Sequence, residues 1–135
     1  MRRTLLVLAL APLALLTACG GDDDTGASPA ATTASKPGAT VDMVLTLFGK
    51  PSDVTIKAGE AVTWVNKNDI AHTIVGGTYK VDSGTGLRTE EKDDGSFKLD
   101  VAKTGEKVDF TYKTPGKYQF FCTIHAGMNG SVTVQ

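Results

Sequence analysis

A chain of 135 residues has the length of one domain, and its overall composition is that of an ordinary globular protein. Its formal net charge of −1 lacks the strong positive excess that is typical of nucleic-acid-binding proteins. We therefore expect no nucleic-acid partner. The composition is uneven along the chain, and the uneven parts predict different segments.

The N-terminal residues have the composition of a targeting segment. Arg2 and Arg3 precede the apolar run TLLVLALAPLALL, which is short for a transmembrane helix and leads into LTAC, Leu16 to Cys19. This order of charge, apolar run and small-residue box resembles a lipobox, where bacterial prolipoproteins are cleaved before a lipid-carrying cysteine. The resemblance implies a signal peptide over residues 1–18 and lipidation of Cys19. The alternative is an ordinary secretory signal with an incidental cysteine.

Residues 19–40 are predicted to be a disordered linker. After Cys19 the stretch GGDDDTGASPAATTASKPGAT lacks aromatic and large aliphatic residues. Such a segment cannot bury enough apolar surface to offset the entropy lost on ordering. We expect the domain that follows to be exported and to be attached to a membrane through this linker.

Residues 41–135 are predicted to form an all-β domain. Short runs rich in β-branched and aromatic residues alternate with turns rich in Gly, Pro and Asp, and no stretch shows a helical period over a helix-like length. In VDMVLTLF the alternating apolar positions are Val41, Met43, Leu45 and Leu47. This pattern is typical of an antiparallel or mixed β-sandwich, and it places Trp64 in the core.

One segment of the domain does not fit the strand pattern. The stretch GGTYKVDSGTGLRTEEKDDG, Gly76 to Gly95, is predicted to be mostly a long loop with one strand around Tyr79 to Val81. Its acidic run EEKDD, Glu90 to Asp94, is most simply a solvated loop. The alternative is a docking patch for a basic partner.

Near the C-terminus, the stretch YQFFCTIHAGMNGSVTV places Cys122, His125 and Met128 at intervals of three residues. If Cys19 carries lipid, Cys122 has no cysteine to pair with, although exported proteins meet oxidising conditions. Cys122 is then buried and inert, part of an intermolecular disulfide, or a metal ligand. Alternation in KYQFFC puts it on an inward face with two large aromatic residues, which weakens the disulfide alternative.

The second histidine of the chain completes a candidate ligand set. His72 follows the polar stretch NKND and begins a β-branched strand. By itself, it would more simply be a hydrogen-bonded structural histidine. With Cys122, His125 and Met128, it completes the donor set of mononuclear electron-transfer copper, two histidines and a cysteine with a weak axial thioether.

These residues make the domain similar to cupredoxins of the plastocyanin and amicyanin type. The similarity rests on HTIV, which begins at His72, and on PGKYQFFCTIHAGMNGSVTV, and it extends over nearly all of residues 41–135. It implies a Greek-key β-sandwich of about eight strands. It also implies one bound copper ion, cycling between Cu(I) and Cu(II), with His72, Cys122, His125 and Met128 as its ligands.

Two positions beside the ligands differ from the family pattern. Thr73 stands where that family usually has an asparagine that ties the two ligand loops together. A threonine hydroxyl can still donate a hydrogen bond, so we expect the metal site to be kept, with altered properties. Phe121 stands where plastocyanins often have an outward-facing tyrosine, which argues against a partner contact through a hydroxyl.

The resemblance to cupredoxins implies a type 1 (blue) copper protein. The lipobox-like motif implies that it is tethered through Cys19 at the outer face of a bacterial membrane or in the periplasm, and we expect a monomer. It would exchange single electrons with redox protein partners. No enzymatic activity is expected, because the site offers no open coordination position. Two alternatives are a copper-binding protein for storage, delivery or sensing, and a β-sandwich module in which these residues are structural. Zinc is less favoured, because an axial thioether is unusual for it.

Overall fold

A computed structural model describes residues 36–135 of the chain. The predicted signal peptide, the predicted lipidation site at Cys19 and most of the predicted linker lie outside the described residues. The strands are β1 Pro37–Val44, β2 Leu47–Phe48, β3 Asp53–Ile56, β4 Ala61–Asn66, β5 His72–Val81, β6 Arg88–Val101, β7 Lys107–Thr111, β8 Gly116–Cys122 and β9 Asn129–Val134. A search of these described residues finds no helix that could cross a membrane.

The nine strands form two sheets that pack face to face. One sheet has four strands in the order β2-β1-β4-β7, and the other has five in the order β3-β9-β8-β5-β6. β1 pairs with β4 and β3 with β9 in parallel, whereas the remaining pairs are antiparallel. The predicted all-β Greek-key sandwich is confirmed. The short β2, two residues long, accounts for the strand beyond the expected eight.

The core lies between the two sheets. Val41 and Met43 of β1, Trp64 of β4 and Phe120 of β8 are all at most 1% exposed. The Trp64 and Phe120 rings meet edge to face, with their centroids 5.1 Å apart. Because these two rings come from opposite sheets, their contact sets how the sheets stack.

The alternation predicted for VDMVLTLF ends earlier than expected. Leu45 and Leu47 are both more than half exposed. β1 ends at Val44, Leu45 has a φ of +54°, and the chain turns back into β2. This reversal puts Phe48 inside in place of Leu47. The two leucines are therefore surface residues.

The strand predicted around Tyr79 to Val81 is confirmed as part of β5, but the long loop predicted for most of residues 76–95 was wrong. β5 and β6 form a long hairpin in which Thr78 pairs with Lys92 and Lys80 with Thr89. The acidic run lies within β6, and its side chains are exposed. A strand of this kind shows no apolar alternation, because backbone pairing rather than side-chain burial holds it in place.

The domain also begins earlier than predicted. β1 starts at Pro37 rather than at Val41. Pro37 pairs with Ala61 and Thr40 with Thr63, in parallel with β4. These first residues of β1 are small or polar and mostly exposed, so only their backbone pairing marks them as strand.

Gly130 packs too closely against its neighbours to accept a side chain. A Cβ here would clash with the Phe120 ring and lie 2.6 Å from the Ser52 carbonyl oxygen. Because that oxygen belongs to the backbone and cannot rotate away, we expect Gly130→Ala to lower the free energy of unfolding by about 2–3 kcal/mol. Urea denaturation monitored by Trp64 fluorescence measures this change.

Gly84→Ala is the matched control. At Gly84 the nearest atom to a new Cβ would be the Asp82 Oδ1, at 3.4 Å. We expect this variant to change the free energy of unfolding by less than about 0.5 kcal/mol. Equal losses in the two variants would contradict the close packing at Gly130.

Candidate metal centre

Two neighbouring strands bring the predicted ligands to one end of the sandwich. β5 begins with His72, and β8 ends with Cys122. Their antiparallel register pairs Ile74 with Cys122, so both candidate ligands lie at the same end of the sheet. The loop between β8 and β9, called the ligand loop here, covers residues 123–128 and carries His125 and Met128.

The donor atoms of three residues converge. Those of His72, Cys122 and His125 all lie within 4.8 Å of one another. The Cys122 Sγ is 3.9 Å from the His72 Nδ1 and 3.5 Å from the His125 Nδ1. A trigonal ion bound about 2.0–2.3 Å from each donor would hold sulfur and nitrogen about 3.7 Å apart. The spacing therefore fits a single ion shared by the three residues.

Met128 is held beside these donors by the backbone. Its amide donates to the His125 carbonyl at 3.0 Å, and its carbonyl accepts from the Cys122 amide at 3.1 Å. These bonds close the ligand loop into a tight ring. The Met128 side chain is fully buried and belongs to the same core cluster as Cys122. That Met128 is a ligand stays a prediction, and its burial beside Cys122 is consistent with it.

Cys122 and His72 are both sealed from solvent. Cys122, the one cysteine among residues 36–135, is 0% exposed, which excludes it from an intermolecular disulfide in the folded domain. His72 is 1% exposed, and its Nε2 has no hydrogen-bond partner within the described part of the chain. Burial lowers the pKa of His72, and positive charge on His125 lowers it further. The neutral imidazole, which is the metal-binding form, is therefore favoured.

His125 is the candidate ligand that reaches the surface. It is half-buried, and exposed apolar side chains lie in or next to the ligand loop that carries it. Ile124 precedes it in the loop, and Leu47 borders Gly127, where a Cβ would lie 3.4 Å from the Leu47 Cδ2. Leu87 is adjacent to Arg88, whose amide donates to the Ala126 carbonyl at 2.9 Å. We call the surface formed by Leu47, Leu87 and Ile124 the apolar face.

Thr73 ties the ligand segments together by its backbone rather than its hydroxyl. Its carbonyl accepts from the Thr123 amide at 2.9 Å, which joins β5 to the ligand loop. Its hydroxyl donates to the Asp100 Oδ1 at 2.6 Å, on β6. The asparagine-like link through a side chain is therefore replaced by a main-chain bond.

Phe121 does not face outward. It is 2% exposed, and the Arg88 guanidinium covers its ring, with Cζ 4.5 Å from the ring centroid. Tyr79 meets the ring edge-on from β5. Phe121 is thus part of the packing beneath Arg88.

Arg88 was missed by the reasoning from sequence. It begins β6 and is buried, with its guanidinium against the ligand loop. The sequence placed it in the long loop, and an arginine between Leu87 and the acidic run gave no signal of burial. Its contacts join segments that are far apart in the chain.

Comparison with known proteins gives consistent matches. Residues 38–135 match the family described as "Copper binding proteins, plastocyanin/azurin family". Plastocyanin of Scenedesmus fuscus is 41% identical over 91 residues, which cover 66% of this chain and 88% of that protein. Amicyanin-alpha of Methylorubrum extorquens is 34% identical over 83 residues, covering 62% of this chain and 60% of that protein.

The fold comparison agrees with the sequence comparison. The crystal structure of amicyanin from Paracoccus versutus superposes with a TM-score of 0.51 and 24% identity, over 73% of this chain and 81% of that one. Several matched relatives are longer proteins, and the chain spans 48% to 60% of the length of six of them.

We predict that the metal-free protein loses stability as the pH falls below about 6.5, the ordinary pKa of histidine. In the folded chain, burial keeps the pKa of His72 below that value, whereas unfolding exposes the imidazole and restores it. The unfolded chain then binds more protons than the folded chain. The free energy of unfolding falls accordingly, by at most about 1.4 kcal/mol per pH unit for one proton.

Urea unfolding of the metal-free protein at pH 7.5 and pH 5.5 measures this loss. The carboxyl groups whose pKa is lowered, those of Glu60, Asp82 and Glu106, titrate below this range and do not contribute to it. The His72→Gln variant should show a smaller loss. A pH dependence that survives unchanged in this variant would assign the effect to another group.

Proposed function

The chain belongs to the plastocyanin/azurin family of copper-binding proteins, and on that basis we propose that it is a type 1 copper electron carrier. Copper is its cofactor, and the plastocyanin- and amicyanin-like proteins of this family are electron carriers, not enzymes. The proposed ligands are His72, Cys122, His125 and Met128. The observation that carries this proposal is the convergence of the Cys122 thiol and two imidazoles, with sulfur-to-nitrogen distances of 3.5 and 3.9 Å.

The donor set fits copper better than it fits a harder ion. Thiolate and thioether sulfur bind soft and borderline metals, and imidazole suits copper. When bound, copper supplies a one-electron couple between Cu(I) and Cu(II). The residues of the chain then have to hold the two oxidation states in nearly the same geometry.

Rigidity of the ligands supports electron transfer. His72 and Cys122 lie at the ends of paired strands, and backbone hydrogen bonds fix Met128 beside Cys122. Such a frame limits how far the donors can move when the oxidation state changes, which lowers the barrier to electron transfer. Because His72, Cys122 and Met128 are at most 1% exposed, the frame also shields these three donors from water.

The surface position of His125 supports electron exchange with a partner protein. Its half-buried imidazole lies beside the apolar face, so a partner docked there would come close to the site. An apolar contact forms without ordered ion pairs and separates readily, which suits a short-lived complex. A role in copper storage or delivery is less well supported, since three buried ligands hinder release of the ion.

We propose that the protein is anchored by lipid on Cys19 at the outer face of a bacterial membrane. The support is the motif LTAC, which follows a positive start and an apolar run. Its redox partners would then be exported or membrane-bound proteins that the apolar face can reach. The protein is proposed to act as a monomer.

Two cysteine variants of the full chain separate the copper proposal from the anchor proposal. With one equivalent of copper(II), the wild-type protein should show an intense blue charge-transfer band from the cysteine thiolate. Cys122→Ser should abolish this band and still partition into the membrane fraction. Cys19→Ser should keep the band and move to the soluble fraction.

Each outcome bears on one proposal. A colourless wild-type protein that fails to retain copper would overturn the assignment of the four ligands. A blue protein that remains in the membrane fraction after Cys19→Ser would overturn the anchor. Visible spectra and fractionation of the expressing cells give both results.

Electron exchange through the apolar face predicts a strong effect of a charge placed there. In exchange between two copies, Leu47→Lys would bring like charges together at the contact and slow the reaction about tenfold. Mixing the Cu(I) and Cu(II) forms and following line broadening by NMR measures the exchange rate. The blue band should stay unchanged, since Leu47 is not a proposed ligand.

Ala58→Lys is the matched control. Ala58 lies in the turn before β4. Asn66, at the other end of β4, donates from its carboxamide to the Ile70 carbonyl at 2.8 Å, two residues before the proposed ligand His72. The same charge at Ala58 should change the rate by less than about twofold. If both variants slow exchange equally, the electron does not leave through the apolar face.

A further inference from the structure

Arg88 is a buried cation in direct contact with the ligand loop. Its side chain is 1% exposed. Its Nη2 donates to the Cys122 carbonyl at 2.7 Å, and its Nη1 lies 3.2 Å from the Met128 carbonyl and 3.3 Å from the His125 carbonyl. One guanidinium therefore reaches the backbone of three proposed copper ligands.

The remaining contacts of Arg88 fix the guanidinium itself. Its Nη1 also donates to the Asn129 Oδ1 at 3.0 Å, and its Nε donates to the Glu91 carboxylate. Its flat face lies on the Phe121 ring. Its own amide donates to the Ala126 carbonyl, so main chain and side chain of one residue hold the loop from the same side.

The charge of Arg88 is only partly balanced. Glu91, its single ion-pair partner among the described residues, is about half exposed and contacts only the Nε of the guanidinium. The Nη edge faces neutral carbonyls. Burying a cation costs free energy unless it is well paired. A guanidinium fork can, however, donate to several carbonyls at once, which offsets part of this cost.

These contacts have two consequences for an ion held by the loop. The fork keeps the carbonyls of Cys122 and Met128 in place whether or not an ion is bound, so the donors need little rearrangement to bind one. The positive charge lies next to the backbone of the ligand cysteine, where it disfavours the more highly charged Cu(II) state. The first effect acts on retention of the ion, the second on its reduction potential.

We propose that Arg88 is a positioning residue of the copper centre, which fastens the ligand loop in its metal-binding geometry and favours the reduced ion by its charge. This inference rests on the proposed function, since it assumes that the loop binds copper. It assigns a role in the site to β6, which contributes none of the proposed ligands.

The test uses Arg88→Lys and Arg88→Met in the full chain, purified in detergent. Arg88→Lys keeps a positive charge but loses the fork, and Arg88→Met loses both. We expect copper to be lost to a chelator at least tenfold faster from both variants. The reduction potential should fall in Arg88→Met and fall less in Arg88→Lys. The blue band should shift or weaken in both variants.

A measurement on the metal-free protein keeps the test independent of copper loading. The amides of Cys122 and Met128 are hydrogen-bonded within the loop, at 3.1 and 3.0 Å. Hydrogen–deuterium exchange at these amides should be at least tenfold faster in Arg88→Lys than in the wild type. This readout applies even if Arg88→Met fails to fold.

Val62→Ala controls for a general loss of stability. Val62 is fully buried in β4, where it pairs with Phe110, toward the end of the sandwich that is remote from the ligand loop. This variant should destabilise the core and leave the blue band, the copper-loss rate and the loop exchange unchanged. A variant of Arg88 that only weakens the fold would behave in the same way.

The outcomes are distinct. The inference would be overturned if both Arg88 variants matched the wild type in amide exchange of the loop, in the rate of copper loss and in reduction potential. Equal potentials in Arg88→Lys and Arg88→Met would overturn its electrostatic part. Failure of the wild type to bind copper would instead overturn the proposed function, and with it any role of Arg88 toward the ion.

Discussion

The antiparallel pairing of β5 with β8 is the constraint on which the metal centre depends. His72 opens one strand and Cys122 closes the other, and the pairing of Ile74 with Cys122 places them side by side. A slip of one residue would turn Cys122 to the opposite face of the sheet. The register is held from within by Phe120, whose ring packs against Trp64 of the other sheet. Core packing and ligand geometry are therefore set by the same strand.

Three segments then restrain the ligand loop. Thr73 bonds to Thr123 from β5, Arg88 bonds to Ala126 from β6, and Met128 bonds back to Cys122 at the end of β8. Each restraint comes from backbone groups that would otherwise need a partner in a partly buried loop. The loop is thereby held by the sheet on which it sits. This is the rigidity that a site for electron transfer needs.

The proposed ligands differ in how far they are buried, and this difference bears on how an electron could reach the site. His72, Cys122 and Met128 are sealed in the sandwich, whereas His125 reaches the surface beside the apolar face. Under the proposed function, the buried side would protect the ion from water, and the exposed side would give an electron a short route out. Leu47 belongs to the apolar face only because β1 turns back at Leu45, where the backbone adopts a positive φ.

The sequence by itself determined the class of fold and the donor set. Strand alternation predicted the sandwich, and the chemistry of two histidines, a cysteine and a methionine predicted the ligands, because donor type and side-chain period are local properties of a sequence. Only the tertiary structure decided the β5–β6 hairpin, the exposed leucines and the burial of Arg88. Exposed strands carry no apolar alternation, and the bond from Arg88 to Cys122 joins residues 34 positions apart. Such a contact exists only once the sheet has formed, so no local pattern could predict it.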